Sequence, residues 1–166
     1  MNPVTAIKAR AAELGFIACG IADLSPMARG AQLDRWLAAG YGGTMRYLHR
    51  QARKRKDPSR IASQGRSFVI VLDNYYYDFE ASGPPRIARY ARGRDYHVAT
   101  VERLEALATS IRTLGAVYTR TFADAGPVPE RELAQRAGLG WVGKNTMLIR
   151  PGVGSWFFIG SVLTDL

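Results

Sequence analysis

Helical periodicity and short apolar runs alternate along the whole chain, and this alternation restricts the fold more than any other feature. "NPVTAIKARAAELG" offers Asn2 as N-cap, Pro3 in the first turn, Val4, Ile7, Ala11 and Leu14 at helical spacing, and Gly15 as a stop. "FIACGIA" reads as a short buried strand, and "SPMARGAQLDRWLAAG" predicts a second helix from Ser25 to Gly40. Residues 42–60 continue as a short helix or irregular segment, "SFVIVLDNYYY" is a core strand by its β-branched run, and "ASGPPR" is a loop. Between Asp95, a candidate cap, and Gly115, the residues Val98, Val101, Leu104, Leu107, Ala108, Ile111 and Leu114 form one stripe, which makes this the longest helix. "AVYTRTFAD" is then a strand, "VPERELAQRA" a helix, "NTMLIR" a strand and "SWFFIGSVLTDL" a final strand. The expected class is α/β, a mixed sheet flanked by helices, with parallel or antiparallel pairing left open.

At 166 residues and 47% hydrophobic content the chain can bury one core, so a single domain is expected. No apolar run approaches the roughly 18 residues of a membrane span. The N-terminus is interrupted by Lys8, Arg10 and Glu13 and does not read as a signal peptide, so a cytoplasmic location without membrane contact is expected. One cysteine, Cys19, and two histidines provide neither a disulfide framework nor a cysteine-held cluster, and no metal ligand is assigned. Lys and Arg number 23 against 14 Asp and Glu, a formal charge of +9, which favours a polyanionic partner such as nucleic acid. An arginine-preferring genome would give the same balance. The charge concentrates in "RQARKRKDPSR", where Arg50, Arg53, Lys54, Arg55, Lys56 and Arg60 face one acid, Asp57; this is either a solvated helix face or a contact to nucleic-acid phosphates.

"GLGWVGKNT", residues 138–146, fits both the dinucleotide fingerprint G-x-G-x-x-G and a P-loop with Asn145 where Ser or Thr is needed. A nucleotide fingerprint works when its glycines follow a strand and open a helix. Here a helix precedes them and a strand follows, so both readings fail: Gly138 is a helix stop, and Gly140 and Gly143 are turn positions with unusual φ. "DYHVAT" has the first residues of a cobalt-ligating D-x-H-x-x-G segment, but Thr100 replaces the glycine and the segment opens the long helix. His97 is therefore read as a residue of the helix N-terminus. Tyr75, Tyr76 and Tyr77 either pack on the core or stack on an unpaired base.

Three ordered stretches, "ARYARGRDYH" (88–97), "DAGPVPERELAQRAGLGWVGKNTMLI" (124–149) and "GSWFFIGSVLTDL" (154–166), together with "KRKDP" (54–58), resemble the N-terminal catalytic domain of the epoxyqueuosine reductase family. The resemblance covers essentially the whole chain. It implies a cobalamin-binding domain of the kind shared with reductive dehalogenases, and reductive removal of an epoxide oxygen from a modified base at the tRNA wobble position, with the anticodon region of tRNA as partner. It implies that Asp124 is the acid that protonates the departing oxygen. The residues themselves allow a second reading of Asp124, as a helix cap of lowered pKa. A proton donor instead requires desolvation, for which Phe122, Trp141 and Trp156 are candidate neighbours, although each could equally be core.

Matched residue by residue, the resemblance also implies cobalamin contacts at Arg55, Ala88, Leu148, Arg150 and Ile159, and tRNA contacts at Arg53, Lys54 and Lys56. In the family, electrons come from two [4Fe-4S] clusters held in a ferredoxin-like region after "TDL", and this chain ends at Leu166. The chain is accordingly expected to need that iron–sulfur domain or a separate electron donor, to bind cobalamin poorly alone, and not to turn over by itself. The alternative is a cofactor-free basic RNA-binding or interaction module on the same fold.

Overall fold

The computed structural model describes residues 2–78 and 87–166, so the loop expected at 81–86 lies outside the described residues. In chain order the elements are α1 (Pro3–Glu13), β1 (Ala18–Asp23), α2 (Gly30–Ala38), α3 (Arg46–Lys56), β2 (Ser67–Asn74), α4 (Tyr96–Thr113), β3 (Thr119–Ala123), α5 (Glu130–Arg136), β4 (Trp141–Val142), β5 (Leu148–Ile149) and β6 (Phe157–Thr164). The caps read from the sequence form. The Asn2 side chain accepts a hydrogen bond from the Val4 amide at 2.9 Å, Asp95 accepts one from the His97 amide at 2.9 Å, and Gly15 turns the chain out of α1 with φ +84°.

Four strands form the main sheet in the order β1-β2-β6-β3, and β4 and β5 form a separate small hairpin. The layered α/β architecture agrees with the alternation in the sequence, and every neighbouring pair is antiparallel. The register pairs Ala18 with Leu72, Asn74 with Phe157 and Ala123 with Gly160. The ends of β2 and β3 therefore emerge beside the starts of β1 and β6, at one end of the sheet.

Both sheet faces are covered, which is why residues 68–72 read as an unbroken apolar run. Val69, Val71 and Val162 face Ile7, Ala11, Leu104, Leu107 and Ile111 of α1 and α4. Phe68, Ile70, Leu72 and Leu163 face Leu133, Ala134, Leu139 and Leu148 from α5 and the hairpin. Truncating one of these buried leucines to alanine should cost about 2–5 kcal/mol. Among the described residues no helix is long and apolar enough to cross a membrane.

Two local expectations are corrected. The second helix starts at Gly30 and not at Ser25, because the preceding amides are claimed elsewhere: Met27 N–H donates to the Lys56 carbonyl at 2.7 Å and Ala28 N–H to Glu132 Oε1 at 2.6 Å. Gly138 does take a left-handed φ of +74° as a helix stop, whereas Gly140 and Gly143 do not. They are required for space. A Cβ on Gly140 would overlap the Ile149 carbonyl, and one on Gly143 would lie 2.7 Å from Ile149 Cδ1. The glycines thus let β4 lie close against β5, and the strand expected at 145–150 shortens to two residues.

Candidate active site

At the end of β3 the chain leaves the sheet through Asp124, whose φ of +51° lies in the left-handed region that non-glycine residues seldom occupy. Asp124 is exposed, and two side chains fix it. Tyr96, the first residue of α4, donates its hydroxyl to Asp124 Oδ2 at 2.7 Å. Glu130, the first residue of α5, accepts the Asp124 backbone N–H on Oε1 at 3.1 Å. The Tyr96 ring is itself clamped, lying nearly parallel to Phe158 of β6 at 3.8 Å and stacked at 4.0 Å on His97. Desolvation, followed by the hydrogen bond to Asp124 and that residue's negative charge, holds the Tyr96 hydroxyl well above its usual range, so it remains a donor.

Glu130 has the most displaced carboxyl of this region. Burial raises its pKa to about 7; the Asp124 charge acts in the same sense, and the Asp124 amide, Arg55 and Arg131 oppose it. Asp124, Glu130, Arg55, Gly126, Arg131 and Thr146 line a solvent-open cavity of about 430 Å³. Arg55 reaches in from α3 and donates through Nη2 to the Gly126 carbonyl at 3.1 Å, while its Nε is buried without a hydrogen-bond partner among the described residues. A cavity-lining guanidinium with a buried donor unpartnered among the described residues fits a ligand that presents an acceptor there.

Asp124 is not the cap of α5. The cap position is Pro129, without a side-chain hydrogen bond, because residues 124–129 form a turn through Gly126 at φ +85°. Phe122 belongs to the core and packs at 6.2 Å against Phe68, but Trp141 and Trp156 are 49% and 44% exposed and are not core residues. His97 occupies the first turn of α4, with its amide and ring Nδ1 both 2.9 Å from Asp95 Oδ1, as read from the sequence. The three tyrosines divide: Tyr75 is partly buried against Phe158, at 4.7 Å, and Tyr90, whereas Tyr77 is 72% exposed.

Of the residues implied as cofactor contacts, only Arg55 shares the cavity with Asp124. Ala88 is exposed and opens the short 3-10 turn Arg89–Ala91. The Leu148 side chain is buried in the core and Ile159 packs against that core. Arg150 donates to the Leu139 carbonyl at 3.0 Å and ties the hairpin to the end of α5. Among the implied tRNA contacts, Arg53 and Lys54 are exposed on α3, while Lys56 is paired with Asp34 at 2.7 Å. Sequence reasoning missed Tyr96 and Glu130. Each lay inside a quoted motif, but a tyrosine after a cap and a glutamate in a first helical turn are ordinary there, and their pairing with Asp124 arises only from the fold.

The chain matches the family described as epoxyqueuosine reductase QueG, DUF1730, over residues 55–125, a stretch that begins at Arg55 and includes Tyr96 and Asp124. It is 41% identical over 163 residues to an epoxyqueuosine reductase of Leadbetterella byssophila, covering 96% of this chain and 54% of that protein. It is also 41% identical over 169 residues to the epoxyqueuosine reductase of Xanthomonas campestris pv. campestris, covering 96% of this chain and 48% of that protein. The chain thus spans about half the length of the curated relatives it matches.

Its fold superposes on epoxyqueuosine reductase from Streptococcus thermophilus with a TM-score of 0.86 at 23% identity, over 100% of this chain and 46% of that one. An epoxyqueuosine reductase crystallised with an epoxyqueuosine-modified tRNA-Tyr stem loop gives 0.74 at 23% identity, over 96% and 44%. A reductive dehalogenase whose structure suggests a B12-dependent mechanism gives 0.63 at 20% identity, over 96% and 18%. By sequence, the chain is similar to epoxyqueuosine reductases over a segment of about half their length, and its fold agrees with theirs.

Proposed function

We propose that this chain is the part of an epoxyqueuosine reductase that supplies the acid for reductive loss of the epoxide oxygen in tRNA, with Asp124 as proton donor. The observation that carries this reading is the placement of Asp124. It sits in a constrained left-handed turn at the rim of an open cavity that Arg55 also lines, and its Oδ2 accepts a hydrogen bond from Tyr96. The reaction consumes two electrons and two protons and converts the epoxide into an alkene and water. Because Tyr96 donates to Oδ2, the proton that Asp124 delivers resides on Oδ1. Substrate and cofactor covering the exposed carboxyl would desolvate it and favour its acid form.

The residues present fit a cobalamin partly. Cobalamin, when bound, would supply the strongly reducing nucleophilic centre for the epoxide-bearing ring. Arg55, with a buried donor unpartnered among the described residues, would hold an acceptor group on the cofactor's periphery. Ala88, Leu148, Arg150 and Ile159 would contribute main-chain contacts, since Leu148 and Ile159 pack in or on the core and the Arg150 guanidinium is engaged. Electrons would come from [4Fe-4S] clusters elsewhere in the polypeptide or on a separate donor. The exposed Arg53 and Lys54 on α3, with Lys56 beside them, would contact tRNA phosphates, consistent with a family member crystallised on a tRNA stem loop.

The test uses the complete enzyme that contains this segment, with epoxyqueuosine-bearing tRNA. Asp124→Asn should lower turnover by about 10²–10⁴-fold, as expected for loss of a general acid, while tRNA affinity and the visible spectrum of bound cobalamin are retained. Undiminished turnover by Asp124→Asn would remove Asp124 from this role. A visible spectrum that shows no cobalamin bound to the complete enzyme would favour the cofactor-free RNA-binding module.

A further inference from the structure

Asp124 adopts a left-handed backbone conformation that residues with a side chain seldom occupy, so its turn needs an anchor. The Tyr96 hydroxyl fixes the carboxyl, but the strain is in the main chain. The contact that reaches the main chain is the hydrogen bond from the Asp124 amide to Glu130 Oε1 at 3.1 Å. Glu130 is well placed for this, because it starts a helix whose next turn, at Leu133 and Ala134, is fully buried against the sheet. Its carboxyl therefore sits on a rigid base while Asp124 sits on a turn.

We propose that Glu130 is the positioning residue of the site, anchoring the Asp124 turn through a carboxylate-to-amide hydrogen bond whose strength changes when Glu130 takes up a proton. The proposal rests on the reading of Asp124 as the acid. The charged and titratable groups facing Glu130 come from every surrounding element: Asp124 from the end of β3, Arg55 from α3, Tyr96 from α4, and Arg131 from its own helix. Arg29, Glu132 and Gln135 also line the cavity, and Glu132 is engaged by the Ala28 amide.

Burial dominates this balance and places the titration of Glu130 close to neutrality, at about 7. Hydrogen bonds to an ionised acceptor are roughly twice as strong as those to a neutral one. The anchor is accordingly firm above neutral pH and loosens below it, and the position of the acid follows the charge of a neighbouring side chain.

The experiment follows the Asp124 amide proton of the ¹⁵N-labelled chain by NMR from mildly acidic to mildly alkaline pH. In the unsubstituted chain the resonance should move downfield through an inflection near neutrality. Glu130→Gln retains an oxygen acceptor but cannot ionise, so the hydrogen-bonded position should persist without the inflection. Glu130→Ala should leave the resonance at an unbonded position at every pH. A wild-type amide that does not titrate, or one that titrates unchanged in Glu130→Gln, overturns the proposal. The amide readout requires no turnover, so it succeeds or fails independently of the Asp124→Asn comparison that tests the acid itself.

Discussion

Two aspartates lie near the same end of the sheet in opposite surroundings. Asp73, in β2, is buried and accepts hydrogen bonds on Oδ2 from Thr100 Oγ1 at 2.5 Å and from the Arg103 guanidinium, so its charge is matched within the fold. Asp124 is exposed, has a left-handed backbone, has a hydroxyl donor on one oxygen, and faces a cavity shared with a guanidinium whose Nε lacks a partner among the described residues. A carboxylate matched by its own protein joins α4 to the sheet. One held in a strained turn with an open side is available to something outside the chain.

The largest effect that separates these two roles is in turnover. Asp124→Asn should lose the 10²–10⁴-fold stated above while its melting temperature stays close to that of the parent, and a substantially lowered melting temperature would reduce Asp124 to a structural residue like Asp73. Next comes the pH dependence of stability contributed by Glu130. Its pKa is raised from 4.5 to about 7 in the folded chain, so between those values the folded state binds more protons than the unfolded state. Stability from this group therefore falls as pH rises from about 4.5 to about 7 and is level above that. Glu130→Gln removes the penalty, and urea unfolding should show the variant gaining on the parent across that window; a constant difference at all pH values would contradict the burial of Glu130.

The Asp73 side of the comparison is tested by stability alone. Asp73→Ala removes a charged acceptor and leaves the Arg103 guanidinium and the buried Thr100 hydroxyl without it, at a cost of about 1.5–3 kcal/mol in chemical denaturation. A neutral result would mean that water serves these groups equally well and that Asp73 is as available as Asp124.

How much of this was legible beforehand depended on how far apart the interacting residues lie in sequence. Asn2, Asp95 and Gly15 act on neighbours two or three positions away, so α1 and α4 could be read from their caps, and the run at 68–72 announced a strand covered on both faces. The start of α2 could not be read, since Met27 and Ala28 direct their amides to Lys56 and to Glu132, contacts made only in the folded chain. The same holds for Gly140, whose lack of a side chain serves a close strand approach that no local rule exposes. At the site, the motif singled out Asp124 and Arg55, but Tyr96 is 28 positions from Asp124 and joins it because α4 begins over the start of β6.

That distant pair supplies the smallest of the expected effects and the sharpest test of the comparison. Tyr96→Phe preserves the flat contact with Phe158 and removes only the hydroxyl that donates to Asp124 Oδ2, so packing is retained and one hydrogen bond of about 1 kcal/mol is lost. If that bond selects which oxygen of Asp124 carries the proton, turnover of the complete enzyme should fall by about tenfold, with tRNA binding and melting temperature nearly unchanged. Unchanged turnover in Tyr96→Phe would show that the orientation of Asp124 is set by the turn and by Glu130 alone. A large loss of stability would show that the Tyr96 hydroxyl holds α4 to the sheet, as Thr100 does for Asp73, and the distinction between the two aspartates would rest on exposure and no longer on their partners.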